Sequence, residues 1–156
     1  MKVFTSKTQK VGEIGEKIAE RFLVKRGFSI VDRNYTKKCG EIDIVAEKEG
    51  ILYFCEVKTI NFETNTPKFS RETGDFKKEN SISINILKED LKKSYNPEEN
   101  LTQRKIDSII RTVQVYFLEN YLSKETDMEM KIISIFYDKI HNRAFVKMKD
   151  IFNEKD

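Results

Sequence analysis

Apolar and polar positions change period several times along the chain, and each change marks an element. Residues 11–26, VGEIGEKIAERFLVKR, put Val11, Ile14, Ile18, Ala19, Phe22 and Leu23 at helical spacing with a polar opposite face. Gly27 is a natural helix stop, and FSIVDRNYTKK (28–38) reads as a short strand followed by an irregular polar stretch. Gly12 and Gly15 lower helix propensity in the first turns, so close packing or backbone approach is expected there. In residues 40–58, GEIDIVAEKEGILYFCEVK, two apolar-rich runs flank a polar break at Glu47 to Gly50, which predicts a β-hairpin. Residues 61–96 sustain no period and read as an excursion after the second core strand. Asn96-Pro97-Glu98-Glu99 is a helix start, with Thr102 a second candidate cap. From there Leu101, Ile106, Ile109, Ile110, Val113, Tyr116, Phe117 and Tyr121 keep helical spacing to about Leu122. Residues 130–152 read as two strands around a turn at His141-Asn142-Arg143, with His141 a surface turn residue. The order α-β-β-β-(irregular)-α-β-β predicts one α/β domain over 1–156, a mixed sheet flanked by helices, with the excursion at 62–96.

The hairpin carries the chemistry. If Glu49-Gly50 is a two-residue loop, Lys48 faces Ile51 and opposed residues sum to 99. Asp43 then lies opposite Glu56, and Glu41 opposite Lys58. Alternation puts all four side chains on one face. Two opposed carboxylates repel unless a cation lies between them, so a divalent metal held by Asp43 and Glu56 beside an ammonium accounts for the pattern. The acid-x-Lys pattern alone says little, because it recurs at Asp75/Lys77, Asp90/Lys92 and Glu129/Lys131. Only Glu56-Val57-Lys58 ends a strong strand with an acid on a preceding, pairable one. A solvated sheet face with a Glu41–Lys58 ion pair is the competing reading, such pairs contributing about 0.2–1 kcal/mol. Both stay open on the hairpin alone. Glu13 and Glu16 suit the positive end of the first helix, and Lys37 and Lys38 stand just before the acidic strand, where they can meet phosphates.

Charge adds one asymmetry. The net charge is only +3, but residues 1–60 hold 12 Lys/Arg against 9 Asp/Glu, whereas 61–100 hold 7 against 8. The positive excess therefore accompanies the acidic hairpin, which suits a site binding a polyanion beside a metal, although three charges are a small excess. Cys39 and Cys55 form no CxxC or Cys/His pattern, and with the register above Cys39 opposes Ile60, so no disulfide is expected. MKVFTSKTQK is followed by a polar helix rather than an apolar signal region, and no apolar run reaches the roughly 20 residues that span a bilayer. A cytoplasmic protein without membrane contact is the expectation.

Three blocks, GEIGEKIAERFL (12–23), GEIDIVA (40–46) and FCEVKT (54–59), resemble those of the YraN-like (UPF0102) family. LTQRKIDSIIRTVQVYF (101–117) resembles its fourth block, a helix with a lysine near its start, here Lys105. That family falls in the restriction-endonuclease-like PD-(D/E)XK superfamily, alongside archaeal-type Holliday junction resolvases. The resemblance implies a central mixed sheet with helices on both sides and a metal-dependent nuclease acting on branched or other structured DNA. A catalytically silent nucleic-acid-binding module on the same fold is the alternative. It also implies that Asp43, Glu56, Lys58 and Glu16 are catalytic, and that Mg²⁺ or Mn²⁺ is held by Asp43, Glu56 and the Val57 backbone carbonyl. Glu41 flanks the metal ligands, and Lys37, Lys38 and Lys105 are candidate nucleic-acid contacts. Junction-cleaving relatives imply a homodimer. The chain departs from the family at Ile60 and Ile106, where a basic residue and a glutamine are usual, and KIISIFY (131–137) lacks a late-strand acid.

Overall fold

The structure, a computed structural model, describes residues 7–62, 101–140 and 142–152. Its elements are α1 (Lys7–Lys25), β1 (Ser29–Lys37), β2 (Gly40–Lys48), β3 (Ile51–Phe62), α2 (Gln103–Glu119), β4 (Met128–Asp138) and β5 (Arg143–Asp150). Helix α1 begins four residues before the apolar period does. It ends where expected: Gly27 takes φ 86°, while the N–H groups of Phe28 and Gly27 donate to the carbonyls of Leu23 and Val24, a Schellman motif. Thr102 is the cap of α2, its hydroxyl accepting from Lys105 N–H at 3.2 Å, so the second of the two candidate starts is used. The excursion beyond residue 62, the Asn96-Pro97 start and the His141 reading lie outside the described residues.

The strands form one sheet in the order β1-β2-β3-β4-β5, antiparallel throughout except for the parallel β3–β4 pair. The parallel pair needs a crossover connection, and α2 lies on it. The chain is therefore α/β with a mixed sheet and two flanking helices, consistent with a restriction-endonuclease-like fold. Among the described residues no helix is long and apolar enough to cross a membrane.

Alternation along the strands feeds two cores. Ala19 and Leu23 of α1 pack with Ile44, Ala46, Cys55, Ile133 and Ile135. On the other side Ile109, Val113 and Tyr116 of α2 pack with Ile42, Val45 and Phe54. Buried Cys55 has its thiol pushed up to about 12 by burial, which leaves it inert, and both cysteines are free.

Two glycines let the helices approach the sheet closely. A Cβ on Gly15 would collide with the Thr59 hydroxyl of β3, while Gly12 meets nothing nearby. Gly40 takes φ 153° and lies against Ser108 and Thr112 of α2, where the Ser108 hydroxyl donates to the Cys39 carbonyl at 2.5 Å. These contacts matter for function, because Glu16 follows Gly15, Lys58 precedes Thr59, and Lys105 lies one turn before Ser108. Gly15→Ala should therefore destabilise the fold by about 1–3 kcal/mol through overpacking. Urea unfolding measures it, and Thr59→Ala in the same chain should restore part of the loss. An unchanged midpoint would show that α1 has room to move away.

Candidate active site

The hairpin register is the one that the sum of 99 requires: Lys48 pairs with Ile51, Val45 with Phe54 and Ile44 with Cys55. Glu49 and Gly50 take φ 54° and 82°, the two left-handed residues of a type I′ turn, with Gly50 N–H donating to Glu47 at 2.8 Å. The ladder then stops. Beyond Ile44–Cys55 the Val57 N–H donates to the Asp43 carboxylate at 2.7 Å. A side chain has taken the acceptor place that backbone would fill, and the strands part at this point.

A second irregularity explains why. Ile42 packs on the α2 side and Ile44 on the α1 side, although residues two apart normally share a face. Across the β1–β2 ladder the same switch appears. Arg33, paired with Ile44, reaches Glu20 of α1, whereas Tyr35, paired with Ile42, stacks edge-on against Tyr116 of α2. Between them Asn34 takes φ 50°, a left-handed conformation that asparagine tolerates. Asp43 thus sits where β2 changes faces. The expected opposition of Glu41 to Lys58, and of Cys39 to Ile60, is corrected for this reason. The β2–β3 register ends at Ile44–Cys55, so neither pair belongs to it, and Cys39 Sγ lies 3.5 Å from the Thr112 hydroxyl.

Asp43 and Glu56 come together. Asp43 is 8% exposed and the Glu56 side chain 14%. Burial first, then the charge of Asp43, pushes Glu56 up to about 7, and the two carboxyls are within hydrogen-bonding reach. Burial likewise holds Asp43 above its ordinary value, against the pull of the Val57 N–H. Glu56 Oε1 lies 3.4 Å from Lys105 Nζ, and Oε2 is buried with no hydrogen-bond partner. A proton carried by one carboxyl, a cation or a bound water would satisfy that oxygen.

The remaining expected residues are distributed around this pair. Glu16 on α1 is held above its ordinary value by burial and then by the charges of Asp43 and Glu41, with Asn34 hydrogen-bonding it. It lines a groove with Glu13, Glu20, Arg33, Asn34 and Asp43 on the α1 side. Lys58 is exposed, two residues from Glu56 on the same strand and opposite Ser134 of β4. Glu41 is exposed beside Asp43. Lys38 is an exposed residue of the β1–β2 turn. Lys37 is not at the acids. Its ammonium pairs with Glu119 at 2.7 Å, about 21 Å along α2 from Lys105 at 1.5 Å per residue. Lys105 is closer to the chemistry than a nucleic-acid contact need be, since it pairs with Glu56 itself. Two participants escaped the periodicity, namely that ion pair and Asn34. An asparagine between Arg33 and Tyr35 inside a strand was the available signal for the latter.

Among the described residues no three His, Cys, Asp or Glu side chains converge closely enough to hold an ion by themselves. The donor set is two carboxylates, one with an unsatisfied oxygen, plus backbone. In a strand the N–H and C=O of one residue point to the same neighbour, so the Val57 carbonyl faces the opening that its N–H faces. An all-oxygen set with two carboxylates fits Mg²⁺ or Mn²⁺, hard ions that keep several waters.

Comparison with known proteins agrees with the resemblance above. Residues 15–135 match the family described as Uncharacterised protein family UPF0102. A UPF0102 protein of Campylobacter jejuni is 33% identical over 129 residues, covering 83% of this chain and 86% of its own length. One from Campylobacter fetus is 36% identical over 126 residues, covering 81% and 83%, and one from Nitratiruptor is 31% identical over 116, covering 74% and 75%.

The pair also makes stability depend on pH. Glu56 is raised from 4.5 to about 7, so its contribution to folding is fully present below pH 4.5 and is lost as pH rises through 7. With metal removed by chelation, the protein should be more stable near pH 5 than near pH 8.5, by up to roughly 3 kcal/mol. Glu56→Gln should flatten the difference and be the more stable protein at pH 8.5. Denaturant unfolding at the two pH values checks this, and an identical pH dependence for both proteins would show that folding does not raise Glu56.

Proposed function

The chain belongs to the uncharacterised family UPF0102, and from that premise we propose that it is a Mg²⁺- or Mn²⁺-dependent nuclease that hydrolyses phosphodiester bonds. The observation that carries the reading is the buried Asp43–Glu56 pair at the parting of β2 and β3, with one carboxylate oxygen left unsatisfied. A stable core has no use for such a pair. Breaking a buried charge arrangement costs several kcal/mol, and an apolar pair there would serve the fold better.

Asp43, Glu56 and the Val57 carbonyl would hold the ion. A divalent cation there lowers the pKa of a bound water and neutralises charge developing on the phosphate. The chain's own groups supply the rest. Val57 N–H keeps one Asp43 oxygen oriented, leaving the other oxygen for the ion. Lys58, exposed two residues on, offers an ammonium to the pentacovalent phosphorus centre or to the attacking water. Glu16, across the groove, orients water rather than joining the ligand set. The resemblance of the motif blocks to a family placed alongside archaeal-type Holliday junction resolvases makes branched or otherwise structured DNA the proposed substrate and a homodimer the proposed active form. Binding without turnover is the second reading, and the Lys105–Glu56 pair favours it to the extent that an ammonium already occupies one carboxylate.

The experiment is cleavage of labelled four-way, nicked, single-stranded and duplex DNA and RNA with and without Mg²⁺. Asp43→Asn and Glu56→Gln should lose Mg²⁺-dependent cleavage by at least ~10²-fold while binding nucleic acid as well as wild type or better, because a phosphate-repelling charge is gone. Lys58→Ala should lose turnover and some affinity but keep metal binding, since an ammonium is not a ligand. If Asp43→Asn cleaves as fast as wild type at saturating Mg²⁺, the nuclease reading is wrong. Binding by wild type without cleavage of any of the substrates would leave the binding module in its place.

A further inference from the structure

We infer that Lys105 is the internal counter-ion of the Asp43–Glu56 pair, and that a divalent cation must displace its ammonium from Glu56, which frees it to meet the phosphate of incoming nucleic acid. The inference rests on the metal-site reading above and adds a competition within it.

Its basis is geometric. The backbone of Lys105 is fixed: its N–H donates to the Thr102 hydroxyl, and one turn later Ser108 ties α2 to the Cys39 carbonyl at the start of β2. The base of the side chain is thus held over the acids while its tip is not. The Lys105 side chain is 38% exposed, and its ammonium lies 3.4 Å from Glu56 Oε1. That is looser than the charge-assisted bonds of about 2.7–2.9 Å that fixed pairs make. The ion pairs Lys37–Glu119 at 2.7 Å and Arg33–Glu20 at 2.5 Å show what committed pairs look like in this chain. Lys105 also leaves half its task undone, since Glu56 Oε2 remains buried without a partner. A single ammonium on one oxygen compensates the pair incompletely, as a placeholder does.

A dication bound by Asp43 and Glu56 and an ammonium 3.4 Å from Glu56 repel one another through a poorly screened gap. Both cannot stay. The ammonium has a route out because its stem is flexible and its side chain is 38% exposed. Swinging away, it remains within a side chain's length of the metal, where a bridging phosphate needs a cation. Metal and nucleic acid then bind with mutual reinforcement, because the first releases a group that attracts the second. Lys58 differs in this respect. It is exposed on the strand itself, so it can attract phosphate whether or not metal is bound.

Mn²⁺ binding to the full chain, measured by calorimetry, tests this without any turnover. Lys105→Met keeps the stem and removes the charge, and should bind Mn²⁺ roughly three- to tenfold more tightly than wild type. Lys105→Arg keeps the charge and should stay within about twofold of wild type. Lys105→Gln serves in the same role if the methionine variant does not fold. A merely structural lysine would lower metal affinity when removed, so the direction of change is diagnostic. Wild type that binds Mn²⁺, with Lys105→Met and Lys105→Gln binding equally or more weakly, overturns the counter-ion role and leaves the metal site standing. Wild type that binds no Mn²⁺ at millimolar concentration overturns both.

Discussion

The bond from Val57 N–H to the Asp43 carboxylate is the constraint on which the rest of the site depends. Antiparallel strands ordinarily exchange backbone bonds along their whole length. Here β2 and β3 stop doing so after Ile44–Cys55, and a carboxylate closes the ladder in place of a carbonyl. This substitution has two consequences. It fixes one Asp43 oxygen beside Glu56, and in a strand the Val57 carbonyl lies on the same edge as its N–H. A protein that needed only a hairpin would have continued the ladder.

The helices then act on Asp43 and Glu56 from opposite sides with opposite charge. Through Gly15, α1 brings Glu16 to the groove beside Asp43, where its charge raises the cost of ionising the pair. Through Gly40 and Ser108, α2 brings Lys105 to Glu56, where its charge lowers that cost. Burial outweighs both, which is why Glu56 is held near 7 rather than near an ordinary carboxylate value. The close helix–sheet contacts, which look like packing details, therefore set the electrostatics of the site.

Much of this was legible before any coordinates. The period changes identify every described element. The two-residue loop fixes the register because alternation leaves no freedom once Glu49-Gly50 is the turn. That register predicts that Asp43 and Glu56 face one another, and they do come together although the ladder ends one pair earlier. What arithmetic could not show was where regular alternation fails. Counting by twos carries the hairpin on to Glu41–Lys58 and Cys39–Ile60, whereas the β2–β3 ladder ends at Ile44–Cys55, next to the point where β2 changes faces. That event belongs to the twist of two strands together, so no single segment announces it. Lys37 was misplaced for a similar reason. Its position near Gly40 in sequence says nothing of Glu119, 82 residues on, which α2 brings to its ammonium.

The same reasoning explains why the site is built from so few side chains. Among the described residues no third acid converges with Asp43 and Glu56, and Glu41, two residues from Asp43, is exposed. A third ligand has to come from backbone or solvent, and the parted ladder provides the first. An ion that accepts two carboxylates and keeps its waters suits that limit, whereas one demanding four protein ligands does not. Without the ion, repulsion between the carboxyls must be relieved some other way, and the fold offers a shared proton and one loosely held ammonium. Both are easily given up. A site whose own compensation is weak is one that a dication would suit.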